Sequence, residues 1–171
     1  SEMILSWMSS VRADVITWRL VAVGVGTLVT LLVQSSSATM AITMTLAAQG
    51  LIDLPTACAL VLGENIGTTV TANLAAIGAS SPARQAARAH LMFNLTGAIW
   101  ALVLFTPFTY LVDLIVPGDA ASGGEAVIAA HLAGFHSAFN VINTALFLPF
   151  VTQLAWLARK LAPERPIEDA R

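Results

Sequence analysis

Leu20 to Ala48 reads LVAVGVGTLVTLLV-QSSS-ATMAITMTLAA, two apolar runs parted by Gln34-Ser35-Ser36-Ser37. The first run, Leu20 to Val33, is about 14 residues or ~21 Å as a helix, short of a ~30 Å hydrocarbon core. A row of hydroxyls on irregular backbone survives at membrane depth only where it lines a cavity or is buried in protein. The stretch therefore predicts a short helical hairpin, broken or re-entrant, with a polar tip. Gly50, Asp53 and Pro55 mark the turn that closes it.

The composition dictates a membrane setting. Apolar residues make up 57% of the 171-residue chain and charged residues 11%, less than half the usual share of a soluble domain. Mean hydropathy is +0.78. Between Arg19 and Arg84 the only side chains expected to be charged are Asp53 and Glu64. A large soluble helical core would need charged outer faces on its helices, and these are missing. The fold class is thus an all-α polytopic membrane protein, with two or more full transmembrane helices besides the short hairpins. A net charge of −2 gives no footprint for nucleic acid. The single Cys58 rules out an internal disulfide. Ser1 to Arg19, a polar lead-in, shows no signal-peptide pattern. The chain does not open with Met and reads as a piece of a longer protein.

A second interruption follows the first. Thr56 to Leu62 leads into Gly63-Glu64-Asn65-Ile66-Gly67-Thr68-Thr69, and Val70 to Ile77 comes after it. The expectation is a second hairpin over 55–78, in which Gly63 and Gly67 let the backbone bend. Asn65, Thr68, Thr69 and Thr71 offer neutral oxygens, the hard ligands that a coupling cation takes at broken helices. At the first interruption, a helix starting at Ser36 or Ser37 directs free N–H groups and hydroxyls at an anion. For either motif the competing reading is a close contact between helices rich in small residues.

Two plain spans are expected beyond, at 86–111 with a kink at Pro107, and at 126–148. The acidic loop 117–125 joins them, and a cytoplasmic tail over 157–171 ends the chain. The positive-inside rule puts Arg84, Arg88, Arg159 and Lys160 in the cytoplasm, and Arg12 and Arg19 with them if an even number of crossings intervenes. His90 and His136 are expected to make packing hydrogen bonds, with proton coupling the alternative, and His131 to lie near the outer interface. Glu64 either tunes a cation site or sits at an interface. Trp100, Phe105 and Phe108 read as packing groups or as interfacial and lipid-facing ones. No nucleophile–base pair or metal-ligand cluster is recognisable, so an enzyme is not expected.

Gln34-Ser35-Ser36-Ser37, the Gly63-to-Ala72 segment and His90 to Asn94 together resemble the sodium/phosphate cotransporter family, over about Gly26 to Phe150. The resemblance implies two inverted repeats, each with a Gln-Ser-Ser-Ser signature, of which this chain matches the second over 20–156. It implies sodium-driven inward transport of inorganic phosphate across a bacterial inner membrane. Sodium would be the coupling ion, with no other cofactor. Phosphate and sodium contacts carry over to Gln34, Ser35, Ser36 and Ser37, with Thr39 adjacent. Asn65, Thr68, Thr69 and Thr71 take a sodium or structural role. One repeat supplies half a site, so a missing first repeat or a second copy is the expected partner. A sulfate or dicarboxylate carrier and a phosphate-sensing module are the competing functions.

Overall fold

The computed structural model describes residues 16–120 and 123–164. Among the described residues seven α-helices run in order: α1 Ile16–Val33, α2 Ser36–Ala48, α3 Leu54–Ala75, α4 Ser81–Val103, α5 Phe105–Ile115, α6 Glu125–Phe147 and α7 Val151–Leu161. A 3-10 turn, Leu148–Phe150, joins the last two, and no strand occurs among the described residues.

The first hairpin forms with only two residues at its tip. Gln34 takes φ 57, and its N–H donates to the Thr30 carbonyl, ending α1 as a left-handed cap. Ser35 is extended and caps α2, its Oγ accepting from the Ala38 N–H at 3.3 Å. The first arm is longer than the hydropathy suggested. It starts at Ile16, which makes 18 residues, ~27 Å, enough to cross a membrane by length and composition. Arg19 does not end it, because its guanidinium lies 4.4 Å over the Phe105 ring and donates to Thr106 Oγ1.

The expected second hairpin is absent. Residues 54–75 form one continuous helix, capped by Asp53, whose carboxylate accepts from the Thr56 N–H at 2.8 Å. Gly63 and Gly67 serve close approach instead of bending. A Cβ on Gly63 would run into the Val23 carbonyl of α1, and one on Gly67 would lie 2.7 Å from Thr30 Cβ. Gly26 of α1 meets the Leu60 backbone in the same way. Small residues four apart let two membrane helices pack backbone to backbone. The α1–α3 pair is accordingly the most extensive helix contact in the molecule.

The span expected at 86–111 begins at Ser81 and breaks at Leu104, where α5 turns away by 90°. Pro107, three residues on, contributes to the break. It has no N–H for the Val103 carbonyl, and its ring crowds that carbonyl, so α4 stops there. The span expected at 126–148 is found at Glu125–Phe147. Of the tail, 157–161 belongs to α7, and residues beyond 164 lie outside the described ones, as does the lead-in before Ile16.

Side-chain contacts order the ends. Arg84 Nη2 donates to the Pro163 carbonyl at 2.7 Å and Gln85 Nε2 to that of Ala162, which joins the start of α4 to the end of α7. Arg19 instead meets α5 beyond the far end of α4, opposite Arg84. The hairpin α1–α2 and the single helix α3 separate the two arginines along the chain. Phe105, Phe108, Phe135 and Phe139 fill the core, with Trp100 stacked 5.8 Å from Phe139. Leu28, Leu32, Ile99, Val103, Val141 and Trp156 are exposed around the outside. Apolar groups outside and polar ones within are what a lipid solvent selects.

Candidate functional site

Ser36 and Ser37, the first residues of α2, border a cavity of about 260 Å3 together with Met40, Glu64, Asn65 and His136. Glu64 is the eleventh of the 22 residues of α3, and His136 the twelfth of the 23 of α6. The cavity therefore lies at mid-length of both α3 and α6. The volume is many times the ~10–15 Å3 that one water needs.

Each wall contributes different chemistry. From α2 come two hydroxyls and a helix N-terminus, which together favour an anion. From α3 comes Glu64, 2% exposed, whose Oε1 accepts from Thr43 Oγ1 at 2.6 Å. Its Oε2 has no hydrogen-bond partner, and neither does Asn65 Nδ2. From α6 comes His136, with Nε2 3.2 Å from Asn65 Oδ1. This is the packing hydrogen bond expected of that histidine.

The sequence-predicted residues fall into three places. Ser36, Ser37 and Asn65 are brought together at the cavity. Gln34 and Ser35 stand exposed at the tip, as Ser36 and Ser37 do, and do not border the cavity. Thr39 is buried and ties the tip down, its hydroxyl donating to the Ser35 carbonyl at 3.0 Å. Thr68, Thr69 and Thr71 lie further along α3, and their hydroxyls donate to the carbonyls of Glu64, Ile66 and Thr68 at 2.7–2.8 Å. They do not border the cavity.

Glu64 is interior, so the interfacial placement considered for it is excluded by its burial at mid-helix. Thr43 and Asn143 went unnoticed in the sequence. Asn143 is fully buried and clasps α4, accepting from Trp100 Nε1 and donating to the Phe93 carbonyl, both at 3.0 Å. An Asn well inside an apolar helix was the available signal. His131 is buried as well, with Nδ1 2.8 Å from the Val127 carbonyl and Nε2 3.2 Å from Asp113. A second cavity, of about 110 Å3 between α1, α2 and α3, is lined mainly by Ala, Val, Ile and Leu and offers an ion little.

The sequence model of the Na+/Pi-cotransporter family matches residues 3–116. The uncharacterized protein YqeW of Bacillus subtilis is 34% identical over 141 residues, 82% of this chain and 43% of that protein. The putative inorganic phosphate export protein YjbB of Escherichia coli K12 is 29% identical over 86% of this chain and 25% of its own length. The sodium-dependent phosphate transport protein 2C of mouse is 46% identical over 87 residues, 48% of this chain and 14% of that protein. The chain spans less than half the length of each of these relatives. No solved structure matches it.

Proposed function

Because this chain belongs to the Na+/Pi-cotransporter family, we propose that it supplies one repeat of a sodium-coupled carrier of inorganic phosphate. The observation that carries this is the hairpin tip: two hydroxyls and a helix N-terminus bordering a cavity, beside a buried carboxylate and a carboxamide. The site needs no Lys or Arg, which suits a carrier that must release its anion again. Gln34 and Ser35, exposed in this chain alone, are the contacts offered to the partner half, whether a first repeat of the same protein or a second copy. Gln34 supports this, since a left-handed cap is ordinarily Gly or Asn and costs a Cβ-bearing residue about 1–2 kcal/mol. Its side chain is what that position retains.

The carrier is assigned to the inner membrane of a bacterium. One relative's name speaks of export and another's of sodium-dependent transport without a direction. We assign inward, sodium-driven movement, with Asn65 and the three threonines of α3 in sodium binding or in its support. Radiolabelled phosphate uptake by the full-length protein, with sodium replaced by choline, is the test. Uptake that ignores sodium rejects the coupling. Ser36→Ala and Gln34→Ala each remove a donor to a charged ligand, worth about 1.5–3 kcal/mol. Phosphate affinity should fall by roughly tenfold or more. Unchanged uptake in both variants would remove the tip from the site.

A further inference from the structure

The cavity at the hairpin tip holds two chemistries that oppose each other. Ser36, Ser37 and the α2 N-terminus attract an anion, while Glu64 brings a carboxyl group to the same space. Thr43 Oγ1 reaches Oε1, and Oε2 has no partner. No Lys or Arg borders the cavity, and His136, the other titratable side chain there, is turned to Asn65. An ionised carboxylate so placed has no countercharge and repels any anion at the serines.

We propose that Glu64 is the anionic ligand of a monovalent-cation site at this cavity, that sodium is the ion it takes, and that filling it is what lets the tip hold an anion. One carboxylate balances one positive charge. A divalent ion would call for more acids, and the described residues contain no cluster of three His, Cys, Asp or Glu suited to a metal. The remaining ligands are hard oxygens already bordering the space: the Ser36 and Ser37 hydroxyls and the Asn65 carboxamide. Carboxamide orientation and imidazole tautomer are linked here. With Nε2–H donating, His136 holds Asn65 Oδ1 and leaves Nδ2 without a partner. With the proton on Nδ1, Nε2 accepts from the turned carboxamide, and Oδ1 becomes free for the cation. The cation site is thus completed by one amide rotation, with no backbone movement.

The proposal takes the phosphate reading of the tip for its anion, but its core can be measured without phosphate. Purified full-length protein is assayed for 22Na+ binding by scintillation proximity in phosphate-free choline buffer, and for melting temperature with and without sodium. Glu64→Gln should raise the half-saturating sodium concentration at least tenfold and abolish the sodium-induced rise in melting temperature. Its melting temperature in choline should stay at or above the parent's, because an unpaired charge has been removed. Glu64→Asp should recover most of the binding. Should Glu64→Gln not fold, Thr43→Val, which leaves Oε1 without its donor, should shift the sodium curve severalfold. An unchanged curve and melting shift in the folded Glu64 variant, or in Thr43→Val where it stands in, overturns the proposal, as does a parent protein that binds no sodium. Uptake that follows a proton gradient instead, and loses that response in Glu64→Gln, gives the site to a proton and also overturns it. Glu64-dependent sodium binding without phosphate flux leaves this site standing and refutes the carrier. Sodium-driven flux indifferent to Glu64 does the reverse.

Discussion

A single methyl group separates a glycine from an alanine, and at Gly63 there is no room for it against the Val23 carbonyl. Gly63→Leu should therefore force α1 from α3 and lower stability by about 1–3 kcal/mol or more, the usual cost of overpacking. Thermal unfolding of the purified full-length protein reads this out. Gly24, next to Val23 but on the exposed side of α1 and with open space around it, is the control: Gly24→Ala should be neutral or stabilising by up to about 1 kcal/mol. Equal losses in both would mean that the α1–α3 seam is not where the glycines matter. Asn143→Leu should cost about 1–2 kcal/mol by the same measurement, since membrane hydrogen bonds average about 0.6 kcal/mol and this residue makes two. Glycine looks the same on paper whether it serves a bend or a close approach. The partner helix decides, and Val23 is 40 positions away in the sequence.

The two interruptions had the same appearance and opposite outcomes. At Gln34-Ser35 the helix ends, because a residue in the left-handed region followed by an extended one cannot continue it. At Gly63 to Thr69 it runs on, and Thr68 and Thr69 turn their hydroxyls to carbonyls of their own helix. A run of hydroxyls thus has two ways of being satisfied, by a cavity or by its own backbone, and only the fold chooses. The kink near Pro107 was legible, since the ring acts on the residue four before it. Its size was not. The aromatic contacts of Phe108 with Trp100 and Phe135, at 5.3 and 4.9 Å, hold α5 down, and Asp113 adds its contact with His131. Pro107→Ala should consequently leave the bend in place. Spin labels at Ala86 and Leu114 should keep their separation, whereas lengthening toward the ~42 Å of a straight helix would show that the proline alone imposes it.

The assembly of these pieces has a polarity that composition foretold in part. Arg84 and the end of α7 were placed on one side by charge, and hydrogen bonds do join them. Arg19 was to join them only if an even number of crossings intervened, and it meets α5 at the other end of α4, with one hairpin of the expected two found as a full helix. Cysteine labelling checks the arrangement against a silent background, since Cys58 is buried. A membrane-impermeant maleimide should reach Ser80→Cys from one face only and Gln49→Cys from the other only. Reaction of both from one face would require a different path for α3. The mid-length position of the cavity carries an electrical consequence. A cation that enters from either face and stops beside Ser36, Ser37 and Glu64 crosses about half of the membrane potential. Half of the ~2.3 kcal/mol per 100 mV of a full crossing is about 1.2 kcal/mol, close to an eightfold change in occupancy. Voltage steps in sodium without phosphate should then drive a transient charge movement. A hairpin longer or shorter by one turn, ~5.4 Å of a ~30 Å core, would reset that voltage sensitivity by about a fifth of the field.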